Sequence, residues 1–591
     1  MKKKETEKIS IFILTGFMCM WLILALMTVP KLYGPIILPD EFGYWAQAAN
    51  LAGMDWREAM TQHSWYSFGY GLLMLPLVKL VPHPIVRYRC MAGFHFMLLG
   101  AATLLLYRIL TGLDKKKEKK TAAWVSGLAL TYVAYISYAQ TTMTEVLLVF
   151  LYVLLVWFLY RWLMQPDIWN SIPVLFTGGY MYMVHMRTVG ILLTTAVCMI
   201  AVLLCGKKPG KRKAAIVISV VILGVIFALL ITEAVKGNLV GSAASEEYRR
   251  LTQVNDYGGQ WRKLGYLFTL KGIYRFFTGL AGKIFYMGCA SFGLYYWGMA
   301  FLLKKGKKLI KCLIRKESAP SEAWLYCFIL LSHTAAVLIS NIFSLMSDRL
   351  DAVLYGRYHE NTLPFILAFG MVEIISAPKV KKRLLWFMGL TNISFFLVYS
   401  LLGNGTIVYL NRHSILGILY AVVLADHYDA KFLLYAGLGG ALGMAVMLAL
   451  VRLAKGRKKQ VFFLGIALLQ LLPALFAWKY YLEPAHAGQK ADAEMLSELK
   501  KEAEIQSEAE VLYGYSEKSN AYCLVQYMMQ DIPLHIVSKE ELRETAQKSF
   551  VVLQRGDELA EELPAQYTEV FASPHYVVFC NWEERDNVCY P

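Results

Sequence analysis

The sequence predicts an all-α polytopic membrane protein of about 13 transmembrane helices, N-terminus inside and C-terminus outside, with a small extracytoplasmic α/β C-terminal domain. Three observations predict it. Hydrophobic residues make up 57% of the chain and charged residues 17%, with a positive mean hydropathy, and apolar runs of the roughly 20 residues that cross a bilayer recur along it. The net charge of +17 falls in short clusters between those runs, at residues 2–4, 115–120, 207–213, 304–316, 379–383 and 452–459. Such clusters mark cytoplasmic loops and argue against nucleic acid as a partner. From about Glu483 the composition turns charged and loses its long apolar runs.

The elements follow in order. Residues 1–8 form a basic cytoplasmic start to the first apolar run, 9–29. That run is longer than a signal-peptide core and lacks a small-residue cleavage site at Thr28-Val29-Pro30-Lys31, so it is expected to stay as an anchor. Residues 30–87 are then the first outer loop. Within it, 68–81 is too short to span and carries Pro76 and Lys79, so an interfacial or re-entrant segment is expected. Helices are expected over 88–110, 122–139, 146–163, 172–186 and 189–205, the last two forming a hairpin with Arg187 at its outer tip. A seventh helix (214–232) leads to an outer loop reaching about residue 280, and an eighth ends at the Lys304 cluster. Helices over 324–345, 362–377, 384–402, 432–453 and 461–481 complete a membrane domain of 9–481. This count keeps every strong basic cluster inside.

In the domain 482–591, residues 490–510 read as a charged helix and 511–515, 534–537, 550–553 and 576–579 as short strands, with helical patterns between the first three. That alternation predicts a small α/β domain. The ten cysteines are scattered without metal-ligand spacing. Cys523, Cys580 and Cys589 fall in this domain, where a Cys580–Cys589 disulfide is compatible with the spacing. No internal repeat of the transporter kind is visible.

Candidate chemistry gathers at the outer ends of the helices. Asp40 and Glu41, in Leu38-Pro39-Asp40-Glu41-Phe42-Gly43, either supply a general base at the membrane surface or serve as the cap and first turn of a helix. Glu145 follows Thr142 with capping-box spacing. Arg187, charged beside apolar spans, needs a partner, either an acid such as Glu145 or a bound anion. Arg87 and Arg89 precede a membrane helix, where snorkelling to lipid headgroups is the default. Arg357, in Tyr355-Gly356-Arg357-Tyr358-His359-Glu360, either offers its planar fork to phosphate oxygens or is an interfacial charge. His63, His359, His413 and His427 lie in outer segments without metal spacing. No phosphate-binding glycine loop or nucleophile elbow is present.

Taken in order, these features resemble the GT-C class of membrane glycosyltransferases, and most closely its protein O-mannosyltransferase and aminoarabinose-transferase branch. The likeness rests on the acidic pair after helix 1, the short interfacial segment, Arg89 before helix 2, Thr-Glu opening helix 4, the hairpin-tip Arg187, and Arg357-Tyr358 with Pro364 beyond. It is best over residues 9–205 and returns at 349–364. The sequence departs from the family's Pro-Pro-Leu before the interfacial segment, carrying Ser67-Phe68-Gly69-Tyr70-Gly71. The resemblance implies inverting transfer of a sugar from a polyprenyl-phosphate-linked donor, at the outer face of the cell membrane, to an envelope glycan, lipid or protein acceptor. Asp40 would be the base, Glu41 would orient it and Glu145 would complete the acidic side. Arg187, Arg357, Tyr358 and Arg89 would hold the donor phosphate. Some members of the class use a divalent metal and others do not. The competing classes are a multi-spanning lipid or solute transporter and a non-catalytic envelope-assembly protein; charges near mid-membrane in broken helices would favour the transporter.

Overall fold

The computed structural model describes residues 2–581 except 63–64, 114–117, 206–209, 241–256, 377–378, 403–410, 426–428, 455–458, 507–508, 515–519, 545–547 and 564–566. His63, His427, Cys589 and most of the Lys115 cluster lie outside the described residues. Eight described helices are long and apolar enough to cross a membrane: Glu5–Lys31, Pro84–Leu113, Glu145–Met164, Met186–Cys205, Lys211–Lys236, Ser321–Phe343, Lys431–Ala454 and Lys459–Ile505. The chain is a multi-pass membrane protein. Helices over Ile168–Val184, Leu363–Ser376 and Val380–Tyr399 stand where further spans are expected.

Five helices frame the site: α1 (Lys2–Thr28), α2 (Asp40–Ala52), α3 (Gly69–Leu80), α4 (Pro84–Leu113) and α5 (Glu145–Met164). The expected interfacial segment is α3, a short apolar helix packed against α2 and α4. The expected third span is broken into Lys119–Leu130 and Val133–Tyr138. At the break, Thr131 Oγ1 donates to the Leu128 carbonyl at 3.0 Å and to Gln470 Oε1 at 2.6 Å, a side-chain alternative to the helical ladder. The segment expected as an outer loop up to residue 280 is helical from Leu270 to Ala290. Phe292 and Gly293, at φ +50 and +82, interrupt it, and the Lys304 cluster rides on the next helix, Leu294–Ile314.

The last membrane helix passes through a π-helical turn at Trp478–Leu482 and continues into the C-terminal unit. There the strands β1 (Glu510–Gly514), β2 (Leu534–Val537), β3 (Ser549–Gln554), β4 (Thr568–Ala572) and β5 (Tyr576–Cys580) form one sheet in the order β2-β1-β3-β5-β4. The first three are parallel; β5 runs antiparallel to β3 and β4. Strand β4 was not expected. It is a largely exposed edge strand without an apolar alternation, so it lacks the period-2 signal of a half-buried strand. Lys490–Ile505 and α6 (Tyr522–Met529) bring this unit against α2 and its flanking loops.

Candidate active site

Asp40 opens α2, but it is not the helix cap: Pro39 takes that position and no side chain caps the helix. The Asp40 carboxylate points elsewhere. Its Oδ1 accepts from Tyr66 at 2.5 Å and its Oδ2 from Arg357 Nη1. Tyr66 lies flat against α2 because residue 43 is glycine; a Cβ there would sit 2.1 Å from the Tyr66 ring.

Arg357 continues the cluster, with Nε 2.9 Å from Glu145 Oε1. The same oxygen accepts from Arg187 Nη2 at 2.9 Å. The hairpin-tip arginine, the acid opening α5 and the arginine of the late loop thus form one chain of charges ending at Asp40. Tyr358 packs beneath both cations, its ring 4.7 Å from the Arg187 guanidinium and 5.9 Å from that of Arg357. Glu145, Arg187 and Arg357 are buried while Asp40 keeps some access. Among the described residues, Arg187 Nε and Nη1 and Glu145 Oε2 find no hydrogen-bond partner although buried. Burial opposes ionisation of Asp40, but the Arg357 guanidinium and the Tyr66 hydroxyl outweigh it and hold the carboxyl below the usual carboxylate range.

Glu41 faces away from this cluster. It accepts five hydrogen bonds: Ile36 N and Ile37 N at 2.9 Å, Tyr88 OH at 2.7 Å, and Thr142 N and Oγ1 at 2.6 Å. Glu41 therefore pins the first turn of α2 to the turn before α5, fixing Asp40 relative to Glu145. Thr142 serves this contact instead of the capping box expected with Glu145. Arg89 also stands apart, donating to the Leu32 carbonyl at 2.8 Å and lying over Tyr33. Arg87 does not snorkel: it is buried and donates to Val78 and Val81 carbonyls and to Gln530.

The loop carrying Arg357 is held by a carboxylate cage. Glu360 accepts from Tyr132 at 2.9 Å, Tyr286 at 2.5 Å and Tyr138 at 3.1 Å, and its carbonyl accepts from Tyr135 at 2.6 Å. Burial raises the Glu360 carboxyl to about 7 against these donors. The break in the Lys119–Tyr138 helix is what presents three of those tyrosines. Gly356 permits the loop to approach, since a Cβ there would meet the Tyr286 ring at 2.0 Å.

Asp40, Tyr66, Arg187, Arg357 and Tyr358 line a cavity of about 850 Å³. Its lining includes the apolar Val189, Leu264, Ile339, Ile342 and Phe343 and the polar Asn411, Arg412, His413, Tyr481 and Asn520. His413 Nε2 is 2.8 Å from the Tyr481 hydroxyl. Tyr66, Tyr481 and the Glu360 cage were missed in the sequence, where any of 37 tyrosines is equally eligible. Among the described residues, no three His, Cys, Asp or Glu side chains group so as to hold a metal ion. Asp40 and Glu145 do not converge on a common point for a cation either, because the Arg357 guanidinium lies between them.

No protein-family model and no curated protein matches the sequence. Solved structures do match by shape, and the class they define is a polytopic membrane fold. Crystal structures of ArnT from Cupriavidus metallidurans, bound to undecaprenyl phosphate and in the apo state, align with TM-scores of 0.51, at 12% and 13% identity, over 96% of this chain and 98% of theirs. This chain has the fold of ArnT. The archaeal oligosaccharyltransferase AglB from Archaeoglobus fulgidus, in complex with an inhibitory peptide and a dolichol-phosphate, aligns at a TM-score of 0.38 and 10% identity over 91% of this chain and 69% of that one.

Proposed function

We propose that this protein is a membrane glycosyltransferase that moves a sugar from a polyprenyl-phosphate-linked donor to an acceptor hydroxyl or related nucleophile of the cell envelope, at the outer face. The observation that carries the reading is the Asp40–Arg357–Glu145–Arg187 chain, whose Asp40, Arg357 and Arg187 line a cavity that also holds apolar residues. An ArnT crystal structure contains undecaprenyl phosphate, a ligand that joins a long apolar tail to an anionic head.

In this reading the donor tail lies toward Val189, Leu264 and Ile339. Its phosphate takes hydrogen bonds from Arg187 and Arg357, whose planar forks suit phosphate oxygens; the two unpartnered nitrogens of Arg187 are available to it. Tyr358 holds both guanidinium planes. Asp40 removes the acceptor proton as the acceptor oxygen bonds to the anomeric carbon. The bond from that carbon to the phosphate oxygen breaks, and its electron pair leaves with the polyprenyl phosphate. Charge developing there is stabilised by the arginines. A single displacement of this kind inverts the anomeric centre. Glu41 orients Asp40 through the backbone of α2, and Glu145 keeps the two arginines together.

The test is transfer by the purified full-length protein, reconstituted in lipid, from a panel of polyprenyl-phosphate sugars to envelope extracts. Label appearing in acceptor material with release of polyprenyl phosphate supports the reading; no transfer from any donor overturns it.

A further inference from the structure

We infer that Gln530 of the C-terminal unit is a positioning residue for Asp40, acting through Trp56 and Arg87. The inference takes the role of Asp40 from the glycosyltransferase reading, and takes from geometry how Asp40 is held.

Gln530 follows α6 with φ +58, a positive value that favours glycine. A long side chain at that position has a specific partner here. Its Oε1 accepts from Arg87 Nη2 at 3.1 Å, and its carbonyl accepts from Trp56 Nε1. Trp56 is buried, and its indole lies parallel to the Phe42 ring with centroids 5.4 Å apart. Phe42 is on α2, one turn's reach from Asp40. A continuous path of packed groups therefore runs from the C-terminal unit to the helix that carries the proposed base.

Arg87 makes the joint rigid. It is 1% exposed and has no carboxylate partner among the described residues. Its other acceptors are the carbonyls of Val78 and Val81, at the C-terminal and negative end of α3. A buried cation among neutral acceptors depends on each of them, so Gln530, α3 and α4 are tied at one point. Neighbouring contacts grip the same segment on both sides of Asp40: Gln489 Nε2 donates to the Pro35 carbonyl at 2.6 Å, Tyr527 OH to the Pro84 carbonyl at 2.9 Å, and Ile536 N to Glu58 at 2.6 Å.

Two variants of the full-length protein separate positioning from plain stability. Gln530→Gly keeps the carbonyl for Trp56, relaxes the backbone and removes only the amide that meets Arg87. Trp56→Phe keeps a ring against Phe42 and removes only the donor to Gln530. We expect both to insert and to keep the thermal midpoint of the wild type within a few degrees. We expect kcat to fall about tenfold to a hundredfold, the loss that a misplacement near 1 Å produces, with the donor KM within about twofold. Unchanged kcat in both variants overturns the inference, and so does a loss that only follows the fraction of folded protein. If the wild type transfers no sugar, the glycosyltransferase reading falls and amide exchange decides the positioning claim alone. Faster exchange across residues 40–61 in Gln530→Gly upholds it, and unchanged exchange overturns it.

Discussion

Arg357 meets Asp40 across 317 residues of sequence and also lies 2.9 Å from Glu145. One guanidinium thus joins the start of α2 to the start of α5. Arg357 and Glu145 are each 3% exposed at the side chain, against 22% for Asp40. A pair held this deep is expensive to break from one side, so the arrangement is rigid where it touches Glu145 and accessible where it touches Asp40. That asymmetry suits a group that must reach a substrate while its partners stay fixed.

Asp40→Asn keeps an oxygen for the Tyr66 hydroxyl and removes the capacity to accept a proton. Because Asp40 is not a helix cap, the local helix start is expected to survive. Sugar transfer, measured at matched amounts of folded protein, should drop roughly 10²–10⁴-fold. Near-normal transfer by this variant would end the case for Asp40 as the base.

Arg187→Lys and Arg357→Lys keep a positive charge and lose the two-pronged geometry. Each is expected to raise the donor KM by about tenfold, on the order of one charge-assisted hydrogen bond, with the protein still inserted. Titration with polyprenyl-phosphate sugar checks this; unaltered donor affinity in both would remove these residues from the phosphate site.

The pH profile follows from the Asp40 carboxyl, which lies below the ordinary 3.8 because the Arg357 and Tyr66 contacts outweigh burial. A lowered pKa keeps the base ionised above that value, so activity governed by Asp40 is lost only as pH falls through it. Replacing Arg357 by Gln leaves burial with less opposition, and the acid limb of kcat/KM should move upward. A limb that stays put in Arg357→Gln would show that the guanidinium does not set the ionisation of Asp40.

Topology is testable in intact cells. Cysteines introduced at Asp55 and Glu494, both with well-exposed side chains, should react with an impermeant label from outside. Cysteines at Lys307 and Lys308, exposed on the helix Leu294–Ile314, should not. Labelling of the lysine positions from outside would require the path from α3 onward to be redrawn.

Much of the architecture was legible in the linear sequence. Apolar runs of membrane length, basic clusters between them and the short Pro76-bearing segment are local signals, because a bilayer imposes the same length and charge rules on every span. Arg187 stood out for a related reason: a charge beside an apolar span is costly without a partner. Which partner each charge takes was not local. Asp40 and Glu41 are neighbours in sequence, yet helical geometry turns one into the cavity with Arg357 and the other onto Thr142 and Tyr88. Arg87 looked like a headgroup anchor and is instead buried against Gln530. The Glu360 cage draws on Tyr132, Tyr138 and Tyr286, three tyrosines with no distinguishing sequence context. Composition and periodicity determine that a chain enters the membrane; only packing, which brings side chains hundreds of residues apart within hydrogen-bond reach, decides which charges meet and so where chemistry is available.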